Sequence, residues 1–279
     1  AGGGVGSPRS ATAERSENSA FEPADPSDAR KDMMTVQGAS TFVQILHHAP
    51  YPYSGKYEDT PIDFFDFVDP VNGERFHTNR LGERFSEKDH YSDGRALFHV
   101  PPHFDPLKPF AYVLFFHALR TDITESNRDH QLTRQIDASG RNVILVVPQL
   151  AKNAADSSPG KFFGRNGFRL FMAEVGRVLS AKMGSAHGKR LDAAPLILTA
   201  FSGGYKTVAY VLDRGGVNDR VMGVFLMDAL YEDVDKFEKW ILASHGRSFF
   251  VSLYRMGSCE KKLRVLLSRI AWYGIHAKV

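Results

Sequence analysis

Residues 195–212 read Pro-Leu-Ile-Leu-Thr-Ala-Phe-Ser-Gly-Gly-Tyr-Lys-Thr-Val-Ala-Tyr-Val-Leu. The first five residues are apolar enough for a buried strand. From Tyr205 the apolar positions are Tyr205, Val208, Ala209 and Leu212, at the i, i+3, i+4, i+7 spacing of an amphipathic helix that Gly215–Gly216 would close. Between strand and helix only a few residues remain, so the chain must reverse sharply at Ser202. A turn that tight needs small residues two before and two after the serine, and these are Ala200 and Gly204.

Outward from this stretch, continuous apolar runs recur: Tyr112–Phe116, Asn142–Val147, Val221–Met227 and Ser248–Leu253. Runs apolar on both faces are what parallel strands covered by helices on each side look like. Helical stripes separate them, with Phe168, Phe171, Val175, Val178 and Leu179 in one and Val234, Phe237 and Ile241 in another, the latter opened by acidic residues. The 126–139 stretch is a weaker helix, stopped by Gly140. Five strands alternating with helices predict an α/β fold with a mostly parallel sheet and right-handed crossovers. Ligand sites in such sheets lie beyond the carboxyl ends of the strands.

Before residue 106 the pattern is antiparallel. Thr41–Leu46 reads as a strand, Ile62–Val68 and Arg75–Thr78 as a hairpin around Asn72–Gly73, and Ala96–Val100 as a returning strand. Residues 1–34 are rich in Gly, Ser, Ala, Pro and charge, and such a segment cannot offset its ordering entropy. The expected organisation is a disordered arm over 1–34 and one domain over 35–279, with an antiparallel β extension at 35–105 and a parallel core at 106–279.

Composition narrows the partners. Of 279 residues, 35 Lys and Arg stand against 32 Asp and Glu, and no basic run is interleaved with aromatics, so nucleic acid is not expected. No apolar stretch reaches the ~20 residues that cross a bilayer. A single cysteine, Cys259, forbids an internal disulfide. The first residue is Ala1 rather than Met, read as a removed signal peptide or a trimmed chain, with a lean to an extracytoplasmic site. Oligomeric state is not legible.

The order of these features resembles the α/β-hydrolase superfamily, especially bacterial esterase-like members with an extra N-terminal β segment. The resemblance rests on Phe116-His117-Ala118, on Ala200-Phe201-Ser202-Gly203-Gly204 and on Met227-Asp228, and covers about residues 105–255. It implies a strand–turn–helix elbow with Ser202 as nucleophile. It implies an oxyanion hole from the N–H of Gly203 and from the loop after Tyr112–Phe116, where Ala118 or Leu119 would donate and His117 would brace. Alanine stands at two places where the family has glycine, Ala118 and Ala200. Gly204-Tyr205-Lys206-Thr207 lacks the glycines of a phosphate-binding loop.

Asp228 ends an apolar strand and is the expected acid. The base is harder to find. In this family it follows the acid, and only His245 and His276 do so. His245 precedes its strand, which leaves His276. Three accounts stand: His276 serves on an abbreviated C-terminus; the final strand and its histidine are lost; or an earlier histidine, His117 or His130, substitutes. The expected function is a serine hydrolase cleaving a small-molecule carboxylic ester, with amide second, through an acyl-enzyme. The alternative is an impaired member that binds a ligand or partner. No cofactor is expected. His47, His48, His99 and His103 lack metal-ligand spacing, so no metal is expected either. The long loop 149–166 is read as lining the substrate pocket, with Phe162 and Phe163 as its walls.

Overall fold

The computed structural model describes residues 34–36, 39–255, 257–276 and 278, with side chains from residue 40 onward except that of Ser185. In chain order its elements are β1 (Met34–Val36), β2 (Ala39–Ile45), β3 (Phe67–Val68), β4 (Arg75–Thr78), β5 (Arg84–Ser86), α1 (Glu87–His90), β6 (Arg95–Val100) and β7 (Ala111–Phe116). Then follow α2 (Ile123–His130), α3 (Leu132–Ser139), β8 (Val143–Pro148), α4 (Gly167–Met183), α5 (Gly188–Ala193), β9 (Leu196–Phe201) and α6 (Tyr205–Arg214). The last are β10 (Val221–Met227), α7 (Val234–Ser244), β11 (Phe249–Leu253) and α8 (Gly257–Ala271).

Among the described residues eight strands form one sheet in the order β1-β2-β6-β8-β7-β9-β10-β11. The five from β8 to β11 are parallel, and β1, β2 and β6 join antiparallel. The expected N-terminal antiparallel extension is present: its longest strands, β2 and β6, continue the main sheet at its edge. Among the described residues β3, β4 and β5 stand apart, as a three-stranded sheet. The hairpin around Gly73 forms there, with a shorter first arm and Gly73 at φ 74°. The arm expected over 1–34 lies outside the described residues except for Met34, which begins β1.

One face of the sheet carries Tyr112, Leu114, Phe116, Ile144, Val146, Leu198, Ala200, Val224 and Leu226, buried together with α4, α6, α7 and α8 in the main core. The other carries Leu97, Phe115, Leu145 and Val147, which pack with Ile123, Leu132 and Ile136 of α2 and α3. The predicted helix over 126–139 is broken into these two because Gln131 takes a left-handed φ of 48°. Among the described residues α2 and α3 cover this face over β7 and β8. Further along, Ile197, Phe201, Phe225, Met227 and Phe249 line an open groove of about 560 Å³. Cover on both faces, read from apolar runs alone, thus holds for one side and for part of the other.

Candidate active site

Ser202 follows the last residue of β9 and takes φ 49°, a left-handed conformation that costs a residue with a Cβ about 1–2 kcal/mol. A short 3₁₀ turn over Ser202–Gly204 then leads into α6. The turn has no room to relax. A Cβ on Gly204 would lie 2.2 Å from the carbonyl oxygen of Phe116, so only glycine lets α6 approach the end of β7. Ala200 is fully buried in the core.

β10 runs beside β9 with Met227 paired to Phe201. Ser202 and Asp228 therefore leave neighbouring strands, which run about 5 Å apart, at the same level of the sheet. Asp228 is also left-handed, at φ 47°; its N–H donates to the carbonyl of Leu253 (2.8 Å) and its Oδ1 accepts from the N–H of Arg255 (3.3 Å). A strained serine and a strained aspartate thus stand at adjacent carboxyl ends of a parallel sheet whose order is 2-6-8-7-9-10-11. This is an α/β-hydrolase fold.

Within that hydrolase fold, the loop after β7 is held by His117. Its Nδ1 donates to the Ala118 carbonyl (2.8 Å), and its Nε2 accepts from the N–H of Leu150 (2.9 Å) and lies 2.9 Å from Gln149 Nε2. Burial drives the imidazole down to about 4, against smaller upward pulls from the Ala118 bond and from Asp122 and Asp93. Both nitrogens are engaged and the ring is neutral, so His117 braces and does not exchange protons. The loops after β7 and β8 are then joined by backbone bonds, Arg120 N–H to Ala154 (2.8 Å) and Asn153 N–H to Thr121 (3.1 Å). The N–H groups of Ala118 and Leu119 donate to none of the described residues, and the Leu119 side chain lies against Gly203.

Among the described residues no hydrogen bond links His276, the expected base, to Ser202 or Asp228. The contacts of Asp228 are instead with Arg255 N–H and the buried Cys259 thiol, which that carboxylate helps to push up after burial itself. The Tyr231 phenol is raised by burial first, then by Cys259 and Asp228, while the Ser202 hydroxyl beside it pulls the other way. Cys259 is in the first turn of α8, and the helix carries the chain away from it at 1.5 Å per residue, roughly 16 Å by Ile270. Ile275 folds back only as far as the Ile270 carbonyl (3.2 Å), and His276 next to it is exposed, with no hydrogen bond to the described residues. His130, by contrast, sets its ring 4.8 Å from that of Phe201, the residue before Ser202. It too has no side-chain hydrogen bond with the described residues. Tyr231 and Cys259 carry no motif, and nothing in their spacing marked them.

Phe162 and Phe163 are not pocket walls. Phe162 is buried against Phe168 and Phe171, and Phe163 packs on Tyr210 and Tyr53. The residue of that loop that reaches the serine turn is Ser157, whose Oγ would be 3.2 Å from a Cβ on Gly203. Lys206 is buried and ion-paired with Glu58, so it is not free to bind phosphate. Among the described residues no three His, Cys, Asp or Glu side chains come together to hold a metal ion, and no helix is long and apolar enough to cross a membrane.

Solved structures with similar folds include a mutant feruloyl esterase module from Clostridium thermocellum complexed with sinapinate, at 18% identity over 72% of each chain and a TM-score of 0.39. An S-formylglutathione hydrolase from Agrobacterium tumefaciens is similar at 11% identity, over 87% of this chain and 97% of that one, with a TM-score of 0.40. A lipase in its open form is similar at 15% identity, over 60% and 44%, with a TM-score of 0.31. No protein-family model and no curated protein matches the chain.

Proposed function

We propose that this chain is a serine hydrolase that cleaves a carboxylic ester, with amides as the second class, through an acyl-enzyme. The observation that carries the reading is the left-handed Ser202 at the junction of β9 and α6, a strained conformation that persists only where the surroundings impose it. Ser202 Oγ attacks the carbonyl carbon. The developing oxyanion takes hydrogen bonds from Gly203 N–H and from Ala118 or Leu119 N–H. Fixed donors of this kind contribute more than any other single effect in acyl transfer. The tetrahedral intermediate collapses by breaking the ester C–O bond, and the alcohol (or, from an amide, the amine) leaves with the proton taken from Ser202, so that the acyl-enzyme remains. Water then attacks it, releases the acid and returns the proton to Ser202 Oγ.

Attack needs a proton acceptor. Tyr231 is not one, because a phenol already holds its proton at neutral pH and burial here raises it further. His117 is already committed on both nitrogens. His130 and His276 remain as candidates, and the packing of His130 on Phe201 favours His130. Asp228 supplies negative charge beside the serine turn and holds the Arg255 backbone in place.

Hydrolysis of a short p-nitrophenyl ester, together with labelling by a fluorophosphonate probe, tests this. Labelling should vanish in Ser202→Ala, and hydrolysis should collapse in His130→Ala while His276→Ala keeps it. Equal labelling of wild type and Ser202→Ala would overturn the reading and favour a binding module on a hydrolase scaffold.

A further inference from the structure

The loop after β8 brings one more hydroxyl to the serine turn. A Cβ placed on Gly203 would lie 3.2 Å from Ser157 Oγ and 2.5 Å from Leu119 Cδ2, so both side chains converge on the backbone unit that follows Ser202. The residues on either side of Ser157 are locked. The Ala155 carbonyl accepts from Asn79 Nδ2 (2.9 Å), and the Asp156 carboxylate accepts from Tyr91 OH (3.2 Å) and from both the N–H and the hydroxyl of Ser158 (3.1 and 2.8 Å). The Ser158 carbonyl accepts from the buried Tyr51 OH (2.7 Å). Among the polar side chains of this network only that of Ser157 bonds to none of the described residues, and Ser157 is half-buried.

A donor held by locked neighbours and left without a partner is arranged for a ligand atom, since its ordering cost is met before the ligand arrives. We propose that Ser157 is a further catalytic residue: its hydroxyl donates a hydrogen bond to the substrate oxygen that gains charge beside Gly203 N–H. This rests on the hydrolase reading above. It adds a side-chain donor from the loop after β8 to the backbone donors at Gly203 and the loop after β7. No bond to Ser157 forms or breaks; its proton stays on Oγ throughout.

The test is steady-state hydrolysis of a p-nitrophenyl ester by wild type, Ser157→Ala and Ser157→Thr, with the rate of fluorophosphonate labelling and thermal melting measured on each. Ser157→Ala should lower kcat by about a hundredfold with KM within about threefold, the pattern of a contact made in the transition state. Labelling should slow in parallel, melting should be unchanged, and Ser157→Thr should recover most of kcat. A kcat for Ser157→Ala within twofold of wild type overturns the role while Ser202 labelling keeps the hydrolase reading intact. A loss confined to KM, or shared equally by the threonine variant, also overturns it, because packing then explains the effect. A wild type inert to both ester and probe removes the hydrolase reading and this role with it.

Discussion

His117 Nε2 accepts the backbone N–H of Leu150 over 2.9 Å, and this bond fastens the loop after β7 to the loop after β8. An imidazole that accepts there must be neutral. In the folded chain burial holds His117 down to about 4, whereas unfolded histidine protonates near pH 6.5.

Stability should therefore fall as pH falls. Between pH 6.5 and about 4 the unfolded chain binds a proton at this position that the folded chain refuses, at a cost of up to about 3 kcal/mol; below 4 the loss stops growing. His117→Gln removes that slope. Urea unfolding at pH 7 and pH 4.5 should show wild type losing about 2–3 kcal/mol more than the variant between the two. At pH 7 the variant itself should be about 1–3 kcal/mol less stable, since the Leu150 N–H loses its acceptor.

Gly204→Ala should be among the most damaging single changes, at more than about 3 kcal/mol, because its Cβ would meet the Phe116 carbonyl. Gly257→Ala, whose Cβ would meet nothing within 4 Å at the start of α8, should change stability by less than about 0.5 kcal/mol. Comparing the two melting temperatures checks the packing of α6 against β7 without reference to activity.

Ser202→Gly should abolish fluorophosphonate labelling and raise unfolding stability by about 1 kcal/mol. Glycine adopts a φ of 49° without the strain that serine bears there, and its greater unfolded-state entropy offsets only part of the relief. A variant that is dead and less stable would show that the turn is not strained.

Lys206 and Glu58 should respond unequally to mutation. Lys206 is buried and pairs with Glu58, while Glu58 also pairs with Arg80 at 3.2 Å. Lys206→Met leaves Glu58 with Arg80 and should cost less than about 1 kcal/mol. Glu58→Ala leaves a buried ammonium without a partner carboxylate and should cost about 3 kcal/mol. Chemical denaturation of both variants at pH 7 distinguishes them.

What could be read along the chain was whatever depends on neighbours a few residues apart. The five parallel strands, the helices after Ser202 and Asp233, and the sharp turn at Ser202 follow from hydrophobic period and from small residues at Ala200 and Gly204. The break at Gln131 was not visible, because a left-handed residue in a polar helix leaves no mark on the apolar pattern. Nor was the pairing of β2 with β6 and of β6 with β8, because partners 46 to 60 residues apart share no local signal.

The site divides along the same line. Sequence alone determined that a serine sits at a strand–helix turn and that an aspartate ends the next strand, since both are set by local backbone geometry. Only the tertiary structure decided that both ring nitrogens of His117 are engaged by the loops after β7 and β8, that Tyr231 and Cys259 stand beside Ser202 and Asp228, and that Ser157 Oγ lies against Gly203. Burial and hydrogen-bond partners arise when distant segments meet, and these decide whether a histidine or a hydroxyl is structural or free to react.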